Sequence, residues 1–319
     1  MRSNIFTTAI KKAPAFFLAA TLIFATEAFV YANRPALVRD YWNKFLIDEP
    51  ALLENPGSYS QVLLGNSTQK TGVRAAEIGP DFLALGLAGA KPMAHYLLFE
   101  RYLKKHPAPK TMYLFIDGED QADSLLVILR YFADLPEFLS VWRDLSWKER
   151  SVFLSKYFAT LDFRKVSLRR RTEYSGSDQE FRQKMTENQG FMPAPDYPVD
   201  ITDDYYELTG HRTDAKIVFD GRDDKYLGKL LTLARAKGTR VVLVPMLVPQ
   251  GLMPHLMESG FAAKYGELLD GVKKRFPETT MPRELFVVMP NSYFEDPDHL
   301  NEQGSVMLTE YFRSKVLTR

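Results

Sequence analysis

The chain has 319 residues, 45% apolar and 13% aromatic, enough to bury one large core or two small ones. A net charge of +1 gives no overall pull towards nucleic acid, and the absence of cysteine excludes thiol catalysis and disulfides while remaining compatible with export.

The first 32 residues have a recognisable order. Arg2, Lys11 and Lys12 precede an apolar run that starts at Ala13, is interrupted by Glu27 and ends Val30-Tyr31-Ala32. A basic start, an apolar middle and a small terminal residue make a secretory signal. Residues 13–32 also form a stretch of 20, long enough to span a bilayer, with Glu27 towards its outer edge. Residues 1–32 are therefore expected to be a cleaved signal peptide or a retained membrane anchor, and the length favours the anchor. The basic residues ahead of the run put the N-terminus inside and residues 33–319 outside, a periplasmic or extracytoplasmic location tethered to the inner membrane.

Residues 33–60, with Pro35, Pro50, Pro56 and Gly57, read as a short helix (Leu37 to Leu46) and a connector. Gln61 to Leu64 is an apolar strand ending at Gly65, and Phe82 to Leu87 is a second, followed by Ala88-Gly89-Ala90. Pro92 opens a helix through Lys105, with Met93, Tyr96, Leu97, Tyr102 and Leu103 at helical spacing. Thr111 to Ile116 is a third strand, stopped by Asp117-Gly118-Glu119-Asp120. Strand, helix, strand at this spacing implies crossover connections and a parallel sheet.

The rhythm then breaks over residues 120–221, longer than any ordinary connection. Ser124 to Phe163 carries Leu, Phe and Trp at helical spacings and reads as a helical insertion. The basic residues Arg164, Lys165 and Arg169 to Arg171 suit a solvated helix face or a contact for a polyanion or lipid headgroups. Tyr174 to Thr213 is loop-like and suited to a lid. Three elements resume the α/β rhythm: a helix over Asp223–Lys237 closed by Gly238, a strand over Arg240–Pro245, and a helix over Phe261–Phe276. A fifth strand, Leu285 to Met289, leads through a polar turn to a final helix, Ser305 to Lys315. The expected fold is a three-layer α/β/α domain over residues 33–319, with a five-stranded parallel sheet and functional groups on the loops after the strands.

Two of those loops carry chemistry. The turn after the fifth strand reads Asp296-Pro297-Asp298-His299-Leu300-Asn301-Glu302-Gln303-Gly304. An Asp three residues before a His lets the carboxylate fix one ring nitrogen while the other faces a nucleophile. A serine in the right place follows the first strand, in Gly65-Asn66-Ser67-Thr68. Taken alone, Gly-Asn-Ser-Thr suits a loop or helix N-cap, and Asp-x-x-His suits a cap with a surface histidine. Together, after strands and about 230 residues apart, they suit a triad of Ser67, His299 and Asp296. His95, His106, His211 and His255 are scattered without ligand spacing, so neither a metal nor a cofactor is expected. His211 and the Asp203-Asp204 pair read as surface loop groups, and there is no Gly-rich phosphate loop.

These blocks resemble the SGNH hydrolase superfamily, the GDSL-like lipases and esterases, over about residues 61–315 without the insertion. Its Gly-Asp-Ser block is matched by Gly65-Asn66-Ser67, its glycine block by Gly86-Leu87-Ala88-Gly89-Ala90, and its Asp-x-x-His block by Asp296 to His299. The resemblance implies a flavodoxin-like sheet, with Ser67 as nucleophile, His299 as base and Asp296 orienting it. The backbone N–H groups of Ser67 and Gly89 would form the oxyanion hole. The third block departs: where the family has Gly-x-Asn-Asp, this chain has Asp117-Gly118-Glu119-Asp120. One such donor is worth roughly a hundredfold to a thousandfold in rate, which argues against fast esterase turnover.

An exported, tethered domain of this kind resembles the SGNH-like proteins that accompany membrane-bound O-acyltransferases. The resemblance implies transfer of an acetyl or similar group through Ser67 to a cell-surface polysaccharide, with an acyl-ester substrate and such an acyltransferase as partners. A carbohydrate esterase or lipase, and a non-catalytic polymer-binding accessory protein, are the alternatives.

Overall fold

The computed structural model describes residues 21–26, 57–87, 89–116, 125, 129, 133–154, 183, 186–191, 201–202 and 204–317. Its strands and helices run β1 (Gln61–Gly65), α1 (Ser67–Gly72), α2 (Ala75–Ile78), β2 (Phe82–Gly86), α3 (Pro92–Lys105), β3 (Thr111–Leu114), α4 (Leu135–Val141) and α5 (Trp147–Leu154). They continue with α6 (Tyr205–Thr209), α7 (Gly221–Ala236), β4 (Arg240–Leu243), β5 (Met246–Pro249), α8 (Met253–Glu258), α9 (Phe261–Arg275), β6 (Phe286–Met289) and α10 (Glu302–Tyr311). The chain divides into two units, one of residues 1–44 and 129–174, the other of residues 45–128 and 175–319.

In the first unit, Asp134 caps α4 and Glu137 closes the capping box. Phe138 stacks on Phe153 of α5 at 3.6 Å and meets Trp142 edge-on. The helical character expected for the insertion holds over these residues. The expected helix at Leu37–Leu46, the third block at Asp117–Asp120 and the basic run at Arg164–Arg171 lie outside the described residues. So does the expected anchor, 13–32, apart from residues 21–26, which are helical and exposed. No helix among the described residues is long and apolar enough to cross a membrane.

The second unit is α/β. Its main sheet is parallel, in the order β2-β1-β3-β4, and the β1, β2 and β3 side chains are almost wholly buried. That burial on both faces explains why these strands read as continuous apolar runs without alternation. Phe82, Tyr113 and Phe312 form a buried aromatic cluster with ring centroids 5.2 to 5.8 Å apart. α3 packs on α7 through Tyr96 and Tyr226, 5.6 Å apart, with the Lys229 ammonium over both rings. Asp220 caps α7 by accepting the N–H groups of Arg222 and Asp223, and Gly238 follows the helix with φ +71°.

The expected five-stranded sheet is corrected to four strands plus a separate parallel pair, β5-β6. The physical reason is at Val244-Pro245. Val244 still donates to Leu114 O at 2.9 Å, but Pro245 has no N–H to continue the ladder, and the next donor, Met246, bonds Leu285 O at 2.9 Å. The far edge of β4 is met by Thr280, which donates to Val241 O and accepts from Leu243 N–H, both at 2.9 Å. The fifth expected strand therefore exists as β6, but it pairs with the chain beyond Pro245.

In strand order the chain steps outward from β1 to β2, then back past β1 to β3. The order thus reverses at β1, and the mouth of that reversal is where open α/β sheets place ligands. Ser67 stands there, two residues beyond the strand.

Candidate active site

The turn carrying the histidine is built on β6. A 3₁₀ turn, Asn291–Tyr293, follows the strand, and Phe294 then bridges antiparallel to Leu300. The bridge closes residues 295–299 into a small loop, with Glu295 N–H donating to His299 O at 2.9 Å. Inside it, Asp296 Oδ1 accepts the backbone N–H groups of Asp298 and His299, both at 2.8 Å. An aspartate accepting N–H groups two and three residues on is a local turn device, and here it fixes the carboxylate relative to the backbone. His299 Nδ1 lies 2.9 and 2.8 Å from the two carboxylate oxygens. This arrangement puts the ring proton on Nδ1 and leaves the Nε2 lone pair for a neighbour.

The loop is braced by the residues that follow it. Asn301 caps α10 through Gly304 N–H at 2.9 Å and donates to Ser292 O at 2.8 Å. A Cβ on Gly304 would lie 2.1 Å from Tyr293 O, so only glycine lets the helix close on the turn. The helix therefore begins at Glu302, three residues before the expected Ser305.

Burial raises the Asp296 carboxyl, but the hydrogen bond and charge of His299 with the two backbone donors outweigh it and hold the group below its ordinary value. Burial lowers His299, but the bond and charge of Asp296, reinforced by the charge of Asp298, leave it above the usual histidine range. The pair thus favours an ionised acid beside an imidazole of raised proton affinity.

The serine side is equally local in origin. Asn66 caps α1, accepting Thr68 N–H at 2.9 Å, while Gln69 Oε1 accepts Asn66 N–H at 3.1 Å, completing a capping box. The capping reading of Gly-Asn-Ser-Thr thus holds for Asn66, and it leaves Ser67 as the first helical residue, half-buried. Gly89 follows β2, buried, with φ +62°, a left-handed conformation that suits glycine. Gly65 and Gly86 are register partners on adjacent strands, and Leu87 N–H donates to Gly65 O at 2.9 Å, so the Ser67 and Gly89 loops leave neighbouring strand ends. Neither the Ser67 nor the Gly89 N–H enters a hydrogen bond among the described residues.

Thr68 Oγ1 donates to Asp298 O at 3.2 Å, linking the residue after Ser67 to the histidine turn. The structure brings Asp296 and His299 together, but no hydrogen bond joins Ser67 Oγ to His299 among the described residues. Apo sites commonly hold such contacts loosely and tighten them on substrate.

Three features escaped the sequence reading. Lys70, one turn into α1, is 1% exposed, although lysines are almost never fully buried unless paired. His95 of α3 is 2% exposed, with Nε2 3.4 Å from Gly65 O, and burial takes its pKa down to about 4 despite that bond, so it is a neutral prop under the end of β1. His211, expected on a surface loop, faces the Asp296–His299 turn. Its Nε2 is 3.4 Å from Asp298 Oδ2, while Arg212 Nη1 donates to Asp298 Oδ1 at 2.9 Å. Burial raises the Asp298 carboxyl, but the His211 contact and the Arg212 charge take it down to about 2. The Asp-Pro-Asp-His spelling hinted at a second carboxylate, but its cationic partner lies 86 residues away in sequence. Among the described residues no cluster of three or more His, Asp or Glu could hold a metal ion.

No protein-family model matches the chain, and no curated protein matches it in sequence.

Proposed function

We propose that this protein is an extracytoplasmic serine acyl-transfer protein with an SGNH-like, three-layer α/β/α fold, held at the membrane by residues 13–32. The observation that carries the reading is the Asp296–His299 pair, with Nδ1 facing both carboxylate oxygens, locked by the backbone and in a loop tied through Asp298 O to Thr68, the neighbour of Ser67.

In the proposed reaction Ser67 Oγ attacks the acyl carbonyl while His299 Nε2 takes its proton. Asp296 stabilises the imidazolium, and the N–H groups of Ser67 and Gly89 receive the developing oxyanion. His299 returns the proton to the leaving alcohol, which departs as the acyl-serine forms. A polysaccharide hydroxyl then gives its proton to His299 and attacks the acyl-serine; His299 passes that proton to Ser67 Oγ as the acyl–serine bond breaks, releasing the acylated sugar and the free serine. Preference for sugar over water comes from positioning, since a bound hydroxyl held in line gains a large effective molarity. A membrane-bound O-acyltransferase is the proposed acyl supplier.

The test is intact-protein mass spectrometry after incubation with an activated acetyl ester, with and without candidate oligosaccharides. An acetyl adduct on Ser67, absent in Ser67→Ala and discharged onto added sugar, is the expected result. Rapid discharge to water with every sugar tried would make the protein an esterase. No adduct, with no fluorophosphonate labelling at Ser67, would leave a polymer-binding accessory protein.

A further inference from the structure

The site has a second tier that the acyl-transfer chemistry leaves unused. Asp298 sits within the histidine loop yet spends both carboxylate oxygens on the segment after α6, with Arg212 at 2.9 Å and His211 at 3.4 Å. Its carbonyl accepts from Thr68 of α1, and the carbonyl before it, Pro297 O, accepts from Tyr206 Oη of α6 at 3.4 Å. The loop is therefore gripped from two sides by elements distant in sequence. Arg212 has φ +58°, a left-handed conformation that L side chains rarely adopt and that persists where the surroundings over-determine it. Its side chain is 14% exposed and that of Asp298 38%, so the pair is partly buried, with the guanidinium the more enclosed partner.

We infer that Arg212, acting through Asp298, is a positioning residue that holds the histidine loop against α1 and tunes the proton affinity of His299. The inference rests on the triad reading for its catalytic meaning. Among the described residues, the charged groups facing His299 are Asp296 and Asp298 from its own loop. Arg212 and His211 reach it through Asp298, α1 presents the neutral Thr68 hydroxyl, and Glu302 of α10 is 90% exposed and paired with Arg74. The carboxylate of Asp298 favours the imidazolium, and the guanidinium of Arg212 offsets that carboxylate. Removing the two partners must therefore move His299 in opposite directions, which a merely structural brace would not do.

The experiment is a ¹³C-edited NMR titration of the histidine Cε1–H signals in the full-length protein in detergent. Only five histidines contribute, and His299→Gln assigns the signal of interest. Arg212→Met should raise the His299 midpoint and Asp298→Asn should lower it. Each shift should be roughly half a unit, below the 1–3 units of a direct ion contact. Arg212→Lys should restore the midpoint towards the parent value. The acid limb of fluorophosphonate labelling at Ser67 should move with each midpoint. Midpoints that stay put, or move in the same direction in both variants, overturn the inference. Midpoints that move as expected in a protein never labelled at Ser67 support the Arg212 role and overturn the nucleophile reading instead.

Discussion

Histidine 95 allows a stability effect to be calculated from one side chain. It is buried, its Nε2–H donates to Gly65 O, and its folded pKa is about 4 against an ordinary 6.5. Because the folded value lies below the unfolded one, the unfolded chain binds the proton more readily between these pH values. Stability is therefore fully present above pH 6.5 and is lost as pH falls from 6.5 through 4. The shift corresponds to about 3 kcal/mol when complete, of which about 2 kcal/mol is lost by pH 5. His95→Gln keeps an N–H donor for Gly65 O but cannot titrate. Urea unfolding of both proteins at pH 7.5 and pH 5 isolates the effect, because every other titrating group appears in both. The parent should lose about 2 kcal/mol more than the variant over that interval. Parallel pH dependences would refute the claim that a neutral, desolvated His95 props the end of β1.

Three further outcomes follow from the site. Asp296→Asn frees His299 to take the wrong tautomer and should slow Ser67 labelling by on the order of a thousandfold or more, with little change in melting temperature. In the parent, labelling should rise with pH through a midpoint above 6.5, because His299 must lose a proton that Asp296 and Asp298 hold; a midpoint below 6.5 would mean that the two carboxylates do not outweigh the burial of the ring. Gly304→Ala drives a Cβ into Tyr293 O and should cost at least about 2 kcal/mol by denaturant unfolding; a neutral effect would mean that α10 does not close on the turn as described.

Much of the frame was legible because it obeys local rules. The buried strands β1, β2 and β3 and the half-buried β6 are apolar runs, α3 is announced by Pro92, and α7 is ended by Gly238. The Asp296–His299 pair was legible for the same reason, since a carboxylate three residues before an imidazole can reach it within one turn. β5 was missed because Pro245 and Pro249 bracket it, and proline flanks normally mark a turn. α1 was hidden because Gly-Asn-Ser-Thr suits a loop as well as an N-cap, although Asn66 with Gln69 three residues later spells a capping box. The Arg212–Asp298 contact could not be seen at all, because nothing local to either residue requires it. Only folding brings the segment after α6 to the histidine loop.

The interruption at Pro245 has a mechanical consequence. The serine hangs from one hydrogen-bonded ladder and the histidine from another, so the spacing between them is not dictated by interstrand geometry. A shear of a fraction of an ångström between ladders would open or close the gap without breaking a single rung. A substrate touching both loops would act as a splint across that joint. Under the proposed acyl transfer, the reacting geometry would then be a property of the loaded protein, completed by the molecule it acts on.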